Sequence, residues 1–256
     1  MPAKCLYMKS YLIVFSFIFL VISCKPPENE SSNFKTNDFS FSSNKIWAHR
    51  VNTFEEAEKK HSLFDGMEID LIYSSFINNL YVAHDDSDTL RNILLEEWLK
   101  HIPNPEKNWY WLDMKNLNKK NAEAIAALLV DLLDRYGIQN KTICESKNLK
   151  ALAVLKNNNI AVSYWVTYDA TFRKFTGNTL WKKRIERKIA RLNPNALSCF
   201  ARMHPLLDAS FPNKNILYWH FSNEKTTDND EIIRKLCRSP NVKVVLIDYD
   251  EPISYE

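Results

Sequence analysis

Short runs of β-branched and aromatic residues alternate with longer stretches of helical periodicity from Lys45 onward. This alternation is typical of a parallel sheet whose strands are joined by crossover helices. A short extra strand is predicted between the second and third main strands. The predicted strands are residues 45–49, 67–72, 80–83 (the extra strand), 109–115, 142–146, 161–167, 196–201, 216–221 and 242–248.

Amphipathic stretches with a period near 3.6 residues lie between these strands and predict helices. Asp88 or Thr89 is a suitable N-cap for the second helix, and Gly137 stands where a glycine commonly ends a helix. The predicted helices are residues 53–61, 90–101, 119–136, 147–157, 180–192 and 230–237.

Eight main strands and six helices approach the eight strands and eight helices of a TIM barrel, so we expect an α/β fold, a (β/α)8 TIM barrel in one compact domain over residues 45–256. This span is short for a TIM barrel, so the helix after Ala201 is expected to be vestigial. The chain has only three glycines, which excludes the glycine-rich phosphate loops of Rossmann and P-loop proteins.

Residues 1–24 have the features of a lipoprotein signal peptide. Residues 11–22 are almost purely apolar, follow Lys9, and are too short for an ordinary transmembrane span. The end of this stretch resembles the bacterial lipobox, in which a small residue precedes a cysteine that is lipidated, here Cys24. A plain cleaved signal or a short membrane anchor is the alternative interpretation.

Residues 25–44 are rich in Ser and Asn, lack periodicity, and are predicted to form a flexible tether. We therefore expect an exported, monomeric protein held at a bacterial membrane by its lipid anchor. Lys25 after the cysteine favours the outer membrane. The formal net charge is only +3, and residues of both charges are interspersed throughout the chain. The sequence therefore lacks the concentrated basic charge that is typical of nucleic-acid-binding proteins. Cys144, Cys199 and Cys237 fall in apolar surroundings and are interpreted as core residues.

The ends of the first three main strands carry charged side chains, at the edge where TIM barrels place their active sites. Residues two apart on a strand share a face, so Glu68 with Asp70, and Asp113 with Lys115, can face the barrel mouth. Three converging carboxylates repel one another unless a cation joins them, and oxygen ligands favour Mg²⁺ or Ca²⁺.

The basic residues near these carboxylates suit a phosphate ligand. Arg50 offers a planar guanidinium fork and Lys115 a point charge. His49 and His84 are candidates for the general base and general acid. Alone, His49 would more often be a structural histidine, and Asp113 with Lys115 could be a local ion pair.

At these residues the chain resembles the glycerophosphodiester phosphodiesterase superfamily of phospholipase-C-like barrels. That family has His-Arg at its first strand, Glu-x-Asp at the second, His-Asp soon after, and an acid-x-Lys at the third. The corresponding motifs here are Ala48-His49-Arg50, Glu68-Ile69-Asp70, Ala83-His84-Asp85 and Asp113-Met114-Lys115. The resemblance implies a metal-dependent phosphodiesterase acting on a glycerophosphodiester or a phospholipid-derived headgroup, often with attack by a neighbouring substrate hydroxyl.

The chain departs from the family pattern after Arg50, where a loop is missing, and at Asp113, where the family has glutamate. Its motifs are similar to those of the menorin-type branch of the superfamily. A catalytically silent barrel that binds a phospho-ligand or a protein partner is therefore the alternative function. Three further residues are possible pocket walls, with a surface position (Glu145) or core packing (Trp165 and Trp219) as the alternatives.

Overall fold

The computed structural model describes residues 38–167, 170–220 and 225–255, with the backbone alone described for residues 170–177. The predicted signal peptide, the lipidation site Cys24 and the tether up to residue 37 lie outside the described residues. The strands are β1 (Ile46–Ala48), β2 (Gly66–Ser74), β3 (Asn79–Val82), β4 (Trp109–Met114), β5 (Thr142–Ser146), β6 (Ala161–Trp165), β7 (Ala196–Phe200), β8 (Ile216–Trp219) and β9 (Val242–Ile247).

Eight of these strands form a closed parallel barrel. Each barrel strand pairs with the next, and β1 pairs with both β2 and β9, which closes the ring. The extra strand, β3, is antiparallel to β2 and stands outside the ring. The predicted (β/α)8 TIM barrel is therefore confirmed.

Helices surround the barrel and cover its outer face. They are α1 (Phe54–Lys60), α2 (Leu95–Lys100), α3 (Ala122–Arg135), α4 (Leu149–Asn157), α5 (Ala170–Leu192), α6 (His204–Ser210) and α7 (Thr227–Arg238). The helix after β7 has only seven residues, in agreement with the prediction of a vestigial element. Gly137 ends α3 with a φ of 65°. The amide of Ile138 donates there to the carbonyl of Leu133, which is the bond pattern of a Schellman motif.

The predicted start of the second helix is wrong. Residues 88–91 form a single 3₁₀ turn, and α2 begins only at Leu95, so neither Asp88 nor Thr89 is its N-cap. The reason lies in Asn92, whose left-handed backbone (φ 54°) reverses the chain after the turn. The next residue, Ile93, then accepts a hydrogen bond of 2.8 Å from the amide of Val82 in β3. Pairing with β3 outcompetes continuation of the helix.

The N-terminal end of the barrel is filled by aromatic side chains. Trp47 is fully buried inside the barrel, and its indole nitrogen donates to the Ser42 hydroxyl at 2.9 Å. Phe39 and Phe41 pack against the same interior cluster. The last part of the predicted tether, residues 38–44, thus contacts the barrel end opposite to the polar strand ends.

The three cysteines of the described residues are buried thiols without a disulfide. Burial raises the pKa of Cys144 to about 12, so this thiol stays protonated at neutral pH. None of the described helices is both long enough and apolar enough to cross a bilayer.

Candidate active site

The polar ends of the barrel strands enclose one cavity of about 540 Å³. It lies at the C-terminal ends of the strands, where the sequence predicts the site. All seven residues predicted to act on metal, phosphate or protons line it, together with the three possible pocket residues: His49, Arg50, Glu68, Asp70, His84, Asp113, Lys115, Glu145, Trp165 and Trp219.

Three carboxylates meet in this cavity. Glu68 and Asp70 extend from β2 and are 2% and 1% exposed, and Asp113 stands opposite Asp70 in the register of β4. One oxygen atom of each carboxylate lies within 4.8 Å of the others. Burial raises the pKa of Glu68 well above its ordinary value, and the charges of Asp70 and Asp113 add to the effect.

Lys115 partly compensates this negative charge. Its Nζ atom lies 2.5 Å from Oδ1 of Asp70 and 2.5 Å from Oδ2 of Asp113. Burial alone would lower the pKa of Lys115, but the two carboxylates outweigh burial and raise it. For Asp70, the nearby ammonium outweighs burial, and its pKa is lowered. For Asp113, burial dominates and the pKa is raised.

The cluster suits a hard divalent cation. One ammonium balances one of three carboxylates, two of which (Glu68 and Asp70) are buried, and buried charges need partners. Three carboxylate oxygens within 4.8 Å of one another match the oxygen ligand sets of Mg²⁺ and Ca²⁺.

Arg50 shapes the cluster through its backbone. Its φ of 52° is left-handed, which is rare for a residue with a Cβ. This turn directs the Arg50 amide toward Glu68, whose Oε2 accepts its hydrogen bond at 2.7 Å. The Arg50 residue itself is exposed at the cavity mouth.

His49 is held between two carboxylates. Its Nδ1 atom lies 2.7 Å from Oδ1 of Asp248, and its Nε2 atom lies 3.8 Å from Oε2 of Glu68. An ionised carboxylate only accepts hydrogen bonds, so Nδ1 of His49 donates to Asp248, and Nε2 is the ring nitrogen that faces the cavity. Sequence analysis did not assign Asp248 to the site. Its place just after the last strand, beside the first strand of a closed barrel, was the available signal.

Asn52 is a second residue that sequence analysis did not assign to the site. Its Nδ2 donates to Oδ2 of Asp70 at 2.6 Å, and its Oδ1 accepts from the Asp70 amide at 3.0 Å. The amide side chain therefore fixes the orientation of the Asp70 carboxylate. The position of Asn52 in the short connection between β1 and α1 makes this contact possible.

His84 lies at the cavity rim, on the loop after β3. Its side chain is 45% exposed, and its Nδ1 atom is 3.9 Å from Oδ2 of Asp85. Its charge when protonated lowers the pKa of Asp70 and Asp113, although other causes are larger for both groups. His84 thus faces the carboxylate cluster from the solvent side.

The far wall of the cavity contains Glu145 and two tryptophans. Glu145 is 2% exposed, and its Oε2 has no hydrogen-bonding partner among the described residues. Burial raises its pKa well above the ordinary value, and the charge of Asp113 raises it further. Trp165 and Trp219 meet edge to face at 5.4 Å between ring centroids. All three residues lie in the pocket wall.

No family model matches the chain, and no curated protein matches it. Solved structures do. A phosphodiesterase from Oleispira antarctica in complex with sn-glycerol-3-phosphate is 18% identical, with a TM-score of 0.59 over 81% of this chain and 94% of that chain. A glycerophosphodiester phosphodiesterase from Parabacteroides distasonis is 15% identical, with a TM-score of 0.58 over 82% and 94%.

A glycerophosphodiester phosphodiesterase from Agrobacterium tumefaciens is also similar, at 15% identity and a TM-score of 0.54 over 81% of this chain and 98% of that chain. At such identities the likeness concerns the fold. The resemblance inferred from the strand-end motifs is confirmed at that level: the chain has the barrel fold of the glycerophosphodiester phosphodiesterases.

Proposed function

We propose that the protein is a divalent-metal-dependent phosphodiesterase that hydrolyses a glycerophosphodiester or a phospholipid-derived headgroup. One observation carries the proposal. A single cavity combines three clustered carboxylates, a lysine between two of them, and a histidine oriented by a further carboxylate. The Oleispira antarctica structure, which has this fold, is a complex with sn-glycerol-3-phosphate.

Glu68, Asp70 and Asp113 would hold Mg²⁺ or Ca²⁺. When bound, such an ion supplies Lewis-acid polarisation of the phosphoryl oxygens. Asp113 is one methylene shorter than a glutamate. It nevertheless belongs to the same cluster as Glu68 and Asp70.

Arg50 and Lys115 would bind the phosphate and neutralise the charge that develops on its oxygens. Lys115 is positioned for this role because Asp70 and Asp113 fix its ammonium at 2.5 Å. The Arg50 side chain extends from the exposed turn at the mouth, where an incoming substrate would meet it.

His49 and His84 would move the protons. His49 presents Nε2 to the cavity because Asp248 holds Nδ1. That nitrogen can take a proton from the attacking hydroxyl of either water or the substrate itself. His84, half-exposed at the rim, can protonate the leaving oxygen and exchange its proton with solvent.

The alternative function is a barrel that binds a phospho-ligand or a protein partner without turnover. The connection between β1 and α1 favours it, since only residues 49–53 separate these two elements. A longer loop there would add groups to the cavity mouth. Binding needs the cations and the carboxylate cluster, which are present.

A turnover assay separates the two functions. After treatment with a chelator, the protein is given Mg²⁺ or Ca²⁺ and either bis(p-nitrophenyl) phosphate or glycerophosphocholine. We expect metal-dependent hydrolysis that His49→Ala abolishes, whereas His61→Ala, at the end of α1 and outside the cavity, leaves it unchanged. Calorimetric binding of Ca²⁺ and sn-glycerol-3-phosphate without turnover would support the binding function. Absence of both turnover and binding would refute both functions.

We also propose that the protein is exported and anchored to a bacterial membrane through lipidated Cys24, as a monomer. The lipobox-like sequence before Cys24 supports the anchor. Expression in a bacterium followed by fractionation tests it. The chain should partition with membranes, and Cys24→Ser should release it into the soluble exported fraction.

A further inference from the structure

A second, larger groove opens from the candidate active site. Its volume is about 1340 Å³, and it runs between the start of α4 and the end of α5. His84, Asp113, Lys115 and Trp165 line both the groove and the site cavity. A ligand bound at the carboxylate cluster can therefore extend into the groove.

Cationic side chains line this groove from both sides. Lys147 and Lys150 lie at the start of α4, and Arg187, Lys188 and Arg191 lie on α5. Among the described residues that line the groove, Asp113 is the one carboxylate, and it is already paired with Lys115. Five cations thus face a shared space without an anionic partner in the groove lining.

Two of these cations are held in place by contacts other than ion pairs. The Nζ atom of Lys147 lies 3.6 Å from the ring centroid of Trp165, at the junction of groove and cavity. The Nζ atom of Lys188 donates to the hydroxyl of Tyr164 at 3.0 Å. Lys150 stands in the first turn of α4, which contains no acidic residue. A cation there opposes the helix dipole unless an anion is bound nearby.

We propose that the groove binds a second phosphate of the substrate, beside the phosphodiester held at the carboxylate cluster. The ligand class is then a phosphodiester with a further phosphate or phosphodiester group attached through a short polar linker. Apolar side chains also line the groove, among them Leu117, Leu149 and Leu192. A hydrocarbon chain would contact these residues but would leave the five cations without an anionic partner. Cleavage of such a ligand rests on the proposed function, whereas binding of the second phosphate in the groove does not.

Binding to the His49→Ala variant, in Ca²⁺, tests the proposal without turnover. The two ligands are bis(glycerophospho)glycerol, with two phosphates, and glycerophosphoglycerol, with one. Calorimetry should show the two-phosphate ligand binding about tenfold more tightly, with a steeper loss of affinity as salt is added. The variant Lys150→Gln/Arg187→Gln/Arg191→Gln, made in the same background, should remove that advantage. Lys183→Gln, an exposed charge of α5 outside the groove lining, should preserve it.

Equal affinity for the two ligands would overturn the proposal. So would tighter binding of a lysophospholipid with one phosphate that survives the triple substitution, since that result assigns the groove to hydrocarbon. Turnover by the wild-type protein keeps the two proposals apart. Hydrolysis of both ligands at equal kcat/KM would refute only the second phosphate site in the groove. A tenfold difference in affinity without hydrolysis would refute only the phosphodiesterase activity.

Discussion

The Nδ1 atom of His49 lies 2.7 Å from Oδ1 of Asp248, so side chains as well as backbone join the ends of β1 and β9. The Asp248 side chain is only 15% exposed, and the amide of His49 donates to the carbonyl of Ile247 at 2.9 Å. The contact with Asp248 thus fixes the imidazole ring, and the bond to Ile247 fixes the backbone from which the ring extends. Closure of the barrel, which brings the last strand beside the first, is what orients the imidazole.

Asp248→Asn should lower kcat on the order of 100-fold or more, because the amide can donate to Nδ1 and so stabilise the wrong tautomer of His49. KM and the thermal midpoint should change little, since the side chain keeps its size. Steady-state kinetics with bis(p-nitrophenyl) phosphate and a melting curve measure both. Asp250→Asn is the matched control, because Asp250 is 75% exposed and pairs with Lys59 outside the cavity. Equal activity of the two variants would show that Asp248 has no role in positioning His49.

Lys115→Met should separate metal binding from turnover. The ammonium competes with a metal ion for Asp70 and Asp113, so its removal should tighten Ca²⁺ binding about tenfold. Turnover should fall on the order of 100-fold, because the phosphate loses a compensating charge. The metal-free variant should melt at a lower temperature than the wild type and recover when Ca²⁺ is added.

Calorimetry with Ca²⁺, together with melting curves, checks the Lys115 prediction, and Lys119→Met on the exposed loop after β4 is its control. Weaker Ca²⁺ binding in Lys115→Met would contradict it, because the lysine would then support the metal site instead of competing for its ligands.

Glu145→Gln should stabilise the metal-free protein at neutral pH. Burial raises the pKa of Glu145 in the folded state, so folding is penalised once the pH exceeds the ordinary value of 4.5 for the unfolded chain. The penalty grows until the pH reaches the raised folded-state pKa. The amide has no charge to desolvate, and we expect a gain of about 1 kcal/mol or more in the free energy of unfolding at neutral pH.

Urea denaturation at a series of pH values measures this gain. It should shrink toward zero as the pH falls to about 4, because Glu145 of the wild type then becomes neutral in both the folded and the unfolded state. Glu251→Gln, on the exposed surface, should show no such trend. A constant difference between Glu145→Gln and wild type at all pH values would assign the effect to packing instead of ionisation.

The sequence predicts the fold and most of the candidate site because the relevant signals are local. The Glu68-Ile69-Asp70 pattern alternates on a strand, so two carboxylates necessarily share a face. The motifs at the ends of β1, β2 and β4 then converge through the rule that parallel strands of a barrel share one functional end.

The features that sequence analysis missed depend on contacts between distant residues. Asp248 reaches His49 across 199 positions, and Asn52 reaches Asp70 across 18. The late start of α2 depends on the left-handed backbone of Asn92, a conformation that asparagine permits but does not require. For Glu145 the sequence leaves open a pocket wall or a surface position, and its pairing in register with Asp113 places it in the wall.

Gly66→Ala should destabilise the barrel. Gly66 begins β2, and a methyl group added there would overlap the ring of Trp47, which is fully buried with its indole nitrogen bonded to Ser42. Neither the ring nor the strand can move without disturbing the core, so the free energy of unfolding should fall by about 1–3 kcal/mol or more.

Gly137→Ala is the comparison variant. Its added Cβ would lie 3.8 Å from the nearest neighbour, and at a φ of +65° its free energy of unfolding should fall by about 1 kcal/mol through backbone strain alone. Urea denaturation of the metal-free variants compares the two. The double variant Gly66→Ala/Trp47→Leu is also compared with the single variant Trp47→Leu. If these two are equally stable, overlap with the indole causes the loss seen in Gly66→Ala. If the loss persists without the indole, the cause lies in the strand backbone.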